Sequence, residues 1–220
     1  MSKDVEPSRL IATTENGTVT AQDLGIRVNG EVVKKKLDKL EQFITKPTVD
    51  PLKKVRNIYR FTDWLVEHAG ISKAAVCQKG CTHCCYLDVD VSLLEAAYIA
   101  KHTPYTQVYR ERRIRRGYHL NRQYCDFLDQ GTGTCTIYEY RPMACRTFFA
   151  FDSPELCDKN NGIEEHAIFT SNDHGVLRHL REQLLHTGSG VHADIREWFA
   201  ETTTDPYDEV MAGDLSFSYQ

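Results

Sequence analysis

Cysteine constrains this chain more than any other residue. Four of the eight cysteines fall within nine residues, Cys77-Gln-Lys-Gly-Cys81-Thr-His-Cys84-Cys85. The other four, Cys125, Cys135, Cys145 and Cys157, follow in a stretch punctuated by Gly131, Gly133, Pro142 and Pro154. Offsets of zero, four, seven and eight put the first four sulfurs on one stripe if that segment is helical, and Gly80 equally permits a tight loop. Either way the thiols converge. The second stretch shows no sustained periodicity, as expected of chain that folds back repeatedly toward a common centre.

Three uses of such cysteines compete. Free cysteine is a good small core residue, but half of the set crowded beside Lys79, Thr82 and His83 is not a core pattern. A disulfide framework needs an oxidising compartment. The beginning, MSKDVEPSRLIATTENG, has no basic stretch leading into an apolar run, so it is read as no secretory signal and a cytoplasmic location is expected. Nor is there a run of about 18 apolar residues that would span a membrane. Thiolate ligation explains the density best, because soft thiolates select zinc, copper(I) or iron-sulfur clusters over hard cations.

Eight thiolates suffice for two closed tetrahedral zinc sites, or for one four-cysteine iron-sulfur cluster and a further site. A buried thiolate cluster carries negative charge that nearby cations must offset. Lys79, Arg141 and Arg146 are placed in sequence to do so, and the two arginines are expected either beside the metal or facing a substrate. His83 is a candidate ligand or proton-transfer group, or a hydrogen-bonded bystander. Tyr138 and Tyr140, two apart, suit a short strand, and Tyr138 is carried as a candidate site residue. Cys84 and Cys85 are adjacent and so point different ways. One arrangement puts Cys77, Cys81 and Cys84 with a distant cysteine and Cys85 with the second set.

The segment Cys77 to Cys85, then Cys125-Asp-Phe-Leu, then Gly133-Thr-Cys135-Thr-Ile-Tyr138-Glu-Tyr-Arg141-Pro142-Met-Ala-Cys145-Arg146-Thr-Phe148, resembles the YkgJ-like cysteine-cluster family, also called CxxCxxCC, a zinc- or iron-chelating domain. The resemblance covers roughly residues 77 to 157. It implies that the eight cysteines bind zinc or an iron-sulfur cluster. A flagellin lysine methylase relative implies that the module can belong to an enzyme. Two functions are therefore expected to compete: an iron-sulfur protein in redox or group-transfer chemistry, and a zinc-binding structural or interaction module without catalysis. No G-x-G-x-x-G or G-x-x-x-x-G-K-[ST] is present to supply a nucleotide-based mechanism.

The remainder reads as mainly α with an irregular, loop-rich metal-binding centre. Residues 1–30 form a polar arm or short hairpin, 31–202 a single helical domain carrying the metal module at 77–157, and 203–220 a tail. Val33, Leu37, Leu40 and Ile44 mark one helix, and Leu52, Val55, Ile58, Phe61 and Leu65 mark a second from Pro51 that packs on the first as a hairpin. Ser92-Leu-Leu-Glu95 is a capping box for a helix to about His102. Further helices are expected over 105–123, 173–186 and 191–202. With 27 basic against 31 acidic residues the net charge is −4, so no whole-molecule field favours nucleic acid. The basic stripe Arg112, Arg115 and Arg116 is the one local exception, a solvated face or a contact for RNA or a phosphorylated partner.

Overall fold

The computed structural model describes residues 12–14, 17–19, 29–78, 80–107, 124–157 and 167–199. It is mainly α, with small antiparallel strand pairs. The polar arm contains a hairpin, β1 (Ala12–Thr14) and β2 (Gly17–Val19). Helices α1 (Gly30–Ile44) and α2 (Pro51–His68) pack against each other as the apolar spacing predicts. Each starts on a side-chain cap: Asn29 accepts from the Val32 amide and Asp50 from the Lys53 amide, satisfying donors that the first turn leaves open. Gly70, at φ +81°, ends the α2 segment in a left-handed turn and leads into the short α3 (Ile71–Ala74).

The Ser92 capping box is present in both directions. It closes β3 (Asp90–Ser92) and opens α4 (Leu93–His102). The loop-rich centre holds β4 (Leu128–Asp129), β5 (Thr134–Cys135), α5 (Met143–Arg146) and β6 (Phe149–Ala150). After it come β7 (Ile168–Phe169) and α6 (Gly175–Thr187), whose Leu177, Leu180 and Leu184 are buried on one stripe. The expected helix over 191–202 is corrected. Residues His192–Asp194 form β8, paired antiparallel with β3, and only Ile195–Trp198 is helical (α7). The strand prevails because it gives β3 its hydrogen-bonding partner, and Asp194 then caps α7 by accepting from the Arg196 amide. Of the expected helix over 105–123, residues 105–107 are not helical and the rest, with Arg112, Arg115 and Arg116, lies outside the described residues. Lys79 also lies outside them. Among the described residues no helix is long and apolar enough to cross a membrane.

Two apolar clusters organise these elements. The first joins α1, α2 and α6 around Val55, Ile58, Leu65, Leu177 and Leu180. The second gathers Val91, Ile99, Phe127, Ile137, Ile195 and Trp198, and Cys125, Cys135 and Cys145 pack against it. Trp198 is fully buried and donates from Nε1 to the Val91 carbonyl at 2.9 Å, so its one polar atom is satisfied.

His174, just before α6, is 7% exposed, and its Nδ1 is buried with no hydrogen-bond partner among the described residues. Burial holds its pKa below the ordinary 6.5, because the imidazolium would lose its water. As pH falls below about 6.5 the unfolded chain therefore binds more protons than the folded one. The stability owed to neutral His174 is complete above that pH and drains away below it, by at most about 1.4 kcal/mol per pH unit. His174→Gln is expected to flatten the decline of Tm on acidification, and an unchanged decline would assign it to other groups.

Candidate metal centre

All eight cysteines are thiols, none in a disulfide. The first four are not on a helical stripe. Gly80, at φ +92°, turns the chain back, the Cys81 amide donates to the Gln78 carbonyl at 3.0 Å, and a 3₁₀ turn over His83–Tyr86 presents Cys84 and Cys85. The β4–β5 hairpin tip closes on this loop. There Asp129 Oδ1 accepts from the Gly131 and Thr132 amides, and Gly133, at φ +65°, lies so close that a Cβ would stand 3.4 Å from the Gly80 carbonyl. A glycine is needed for that φ.

The thiols fall into two neighbourhoods. Cys85, Cys125, Cys135 and Cys145 act on one another electrostatically. Cys157 is in reach of Cys77 and Cys81. Cys84 lies between, in reach of Cys81, Cys85 and Cys145. The 3₁₀ turn of Cys84 and Cys85 packs against a second one, Pro154–Cys157, which brings Cys157 in from a distance in sequence. Among the described residues no group of three or more His, Cys, Asp or Glu side chains is drawn tight enough to hold an ion as it stands.

The inner set is surrounded by groups that favour thiolates. The Cys84 thiol donates to Cys85. That hydrogen bond lowers the Cys85 pKa to about 7 against the effect of burial, Arg196 assists, and Cys84 is pushed well up. Burial pushes Cys125 up to about 12 and Cys135 and Cys145 also upward. Opposing it, the backbone N–H groups of Phe127 and Ile137, each two residues on, favour the thiolates of Cys125 and Cys135. Two guanidiniums add positive potential: Arg196 at Cys85 and Cys125, Arg141 at Cys135 and Cys145.

Arg196 carries no motif that marks it in the sequence. Its Nη2 donates to the Cys85 carbonyl at 2.9 Å, Nη1 and Nη2 both reach the Leu87 carbonyl at 3.3 Å, and Nη1 lies 2.9 Å from Asp194 Oδ1. One planar fork thus fixes the chain after the cysteine pair while its charge faces the thiols. Arg141 stacks over the Tyr138 ring at 4.0 Å, and its Nε is buried with no hydrogen-bond partner among the described residues. Tyr138 is 59% exposed and lies in a 3₁₀ turn, so the strand expected for Tyr138 and Tyr140 does not form. Tyr140 instead stacks on His102.

Arg146 has a structural role. It is 6% exposed and donates from Nε to the Arg141 carbonyl at 2.8 Å, from Nη2 to the Glu139 carbonyl and from Nη1 to Asp63 on α2 at 2.6 Å. It therefore ties the loop before Cys145 to the first helical pair, and its buried guanidinium is spoken for by protein acceptors. Beneath it, Glu95 accepts from Tyr59 Oη, the Met143 amide, the Ser92 amide and Ser92 Oγ. Glu95 thereby anchors α5, which carries Cys145. Glu95 was legible only as a helix cap. His83 opens the 3₁₀ turn and is half-buried.

The donor set suits a soft metal, and an Arg141 Nε with no hydrogen-bond partner among the described residues is what an anionic thiolate centre would use. Residues 76–170 match the CxxCxxCC family, described as a "putative zinc- or iron-chelating domain". That segment holds all eight cysteines, and the match agrees with the resemblance of the cysteine motifs. Metal binding through the cysteines is the property this assigns. No curated protein and no solved structure matches the chain. Tyr59, Asp63 and Arg196 lie outside the matched segment, so the clamps on the cysteine loops come from both flanks of the family domain.

Proposed function

We propose that the chain is an iron-sulfur protein whose cluster is held by Cys85, Cys125, Cys135 and Cys145 and serves redox or group-transfer chemistry in a reducing compartment. The observation that carries this reading is the placement of two arginines at those four thiols, with Arg196 Nη2 donating to the Cys85 carbonyl at 2.9 Å and Arg141 beside Cys135 and Cys145. A 2+ core with four thiolates carries 2 − 4 = −2, which Arg141 and Arg196 offset. When bound, the cluster supplies one-electron chemistry at a potential set by charge, hydrogen bonds to sulfur and exposure. The chain's own part is to hold the thiolates, donate to their sulfurs and keep the arginines in place.

Zinc on the same thiolates is the second reading. The packing of Cys125, Cys135 and Cys145 against the second apolar cluster favours it, since a closed structural site there would support the fold. Protein purified without oxygen or added metal separates the two by visible absorption with iron, zinc and acid-labile sulfide analysis. Colour with iron and sulfide supports the cluster. A colourless protein with zinc alone rejects it.

Arg196→Met is expected to weaken metal retention at the inner set by about 10–100-fold, as for other outer partners of ligands. Arg196→Lys keeps the charge but loses the fork and should fall between. Competition with a chelator measures this, and an unchanged affinity in Arg196→Met would remove the residue from the centre.

A further inference from the structure

Helices α1 and α2 carry a charge that the balance of the whole chain conceals. Residues 34–60 hold nine basic and three acidic side chains, a net of +6, so the rest of a chain whose total is −4 carries −10. On α1, Val32, Lys35, Lys36, Lys39 and Phe43 follow the spacing i, i+3, i+4, i+7, i+11, which places them on one stripe. On α2, Lys53, Arg56, Asn57, Arg60 and Trp64 repeat that spacing. Neither stripe holds an acid. Lys36 Nζ, 4.5 Å over the Trp64 ring, joins the two. Lys35, Lys36, Lys39, Lys53, Arg56 and Arg60 are all exposed, and among the described residues none is in an ion pair. The acids of the hairpin are engaged elsewhere: Asp50 caps α2, Glu41 meets His179 and Asp63 meets Arg146. Like charges at i, i+4, as in Lys35–Lys39 and Arg56–Arg60, cost a helix stability. Six cations held this way on two packed helices are the footprint of a polyanionic partner.

We infer that this face of the α1–α2 hairpin docks on the phosphate backbone of a DNA duplex. The stretch from Lys53 to Arg60 spans about 10 Å of helix, or about three phosphate steps along one strand. Packed helix axes stand about 8–10 Å apart. Two rows of cations at that separation meet both strands across the minor groove, about 6 Å wide, but not across the major groove, about 12 Å wide. A-form RNA, with a wide minor groove and a deep, narrow major groove, matches the rows less well. The Trp64 ring, under Lys36 and stacked on His68 at 4.8 Å, offers no open platform for a base of a single strand. A lipid surface or a protein interface calls for projecting apolar side chains. Here Phe43 and Trp64 are half-buried against the first apolar cluster, and Val32 is only 39% exposed. Repulsion of the acidic remainder by the phosphates turns the hairpin toward the DNA, which is how a chain of net −4 can bind it.

The test uses the full chain as purified and the fluorescence anisotropy of a short labelled DNA duplex of mixed sequence. Six phosphate contacts predict a slope of log K against log salt of about −5, and a loss of affinity of about 10³-fold between about 50 and 200 mM KCl. The triple variant Lys53→Gln, Arg56→Gln, Arg60→Gln should flatten the slope by about 3, and Lys35→Gln with Lys39→Gln by about 2. All five positions are exposed, so far-ultraviolet dichroism should stay unchanged. Lys73→Gln, exposed on α3 and outside both stripes, should leave binding as it was. Absence of binding at about 50 mM salt overturns the inference. An unchanged slope in both stripe variants also overturns it, by placing the contacts elsewhere on the chain. So does tighter binding of single-stranded DNA, of an RNA duplex or of anionic phospholipid vesicles than of the DNA duplex.

Discussion

Cys145→Ser is expected to yield protein without its inner metal and without a stable fold. Cys145 sits on a one-turn helix, packs against the second apolar cluster and lies among Cys125, Cys135 and Cys85. A serine oxygen is a poor substitute for a soft thiolate. Structural thiolate sites contribute about 10–16 kcal/mol in small metal-dependent domains, as much as the whole net stability of an ordinary domain, about 5–15 kcal/mol. The centre around Cys145 has only short strands and turns of its own, so little would hold it in shape. Far-ultraviolet dichroism and metal analysis of the variant measure this. A cooperative thermal transition with the full metal complement would show that Cys145 is not a ligand.

Glu95→Ala is the second large effect, reached without touching a cysteine. Its carboxylate, in a residue 4% exposed, accepts from four donors: Tyr59 Oη at 2.9 Å, the Met143 amide at 2.9 Å, the Ser92 amide at 3.0 Å and Ser92 Oγ at 2.8 Å. Truncation leaves these donors buried without an acceptor, at about 1–3 kcal/mol for each that water cannot reach. A total loss of about 3–5 kcal/mol is expected, in the range for breaking a buried charged network. Glu95→Gln keeps the volume but turns an NH₂ group toward donors, so it should recover only part. The Met143 amide begins the helix that carries Cys145, so metal retention should fall together with the denaturation midpoint. A stability loss with metal affinity unchanged would separate this anchor from the centre.

How far the sequence revealed this arrangement depended on whether a feature is local. Helices α1, α2, α4 and α6 were legible because their apolar spacing and caps lie within each segment, as with Asp50-Pro51 and the Ser92–Glu95 box. The 191–202 segment misled because Ile195, Trp198 and Phe199 fit a helical stripe. The partner that draws His192–Asp194 into a strand is Asp90–Ser92, about a hundred residues earlier. The cysteines announced the centre, and Cys84 and Cys85, expected to face different sets, sit in one 3₁₀ turn with Cys84 in reach of Cys81, Cys85 and Cys145. Arg196 escaped notice since nothing near it in sequence marks a ligand sphere. Arg146, read as a charge beside the metal or facing a substrate, instead spends its donors on the Glu139 and Arg141 carbonyls and Asp63. Contacts of this kind span 83 residues in the Asp63 pair and 111 in the Arg196–Cys85 pair, beyond any local pattern.

X-ray absorption at the metal edge of anaerobically purified protein tests the central claim most directly, that thiolates from two stretches of chain close around an iron-sulfur core. The expected spectrum is an iron edge with an all-sulfur first shell at about 2.3 Å and an iron–iron scatterer behind it, diminished in Cys145→Ser. A first shell dominated by nitrogen or oxygen, or a zinc edge with no iron, would contradict it.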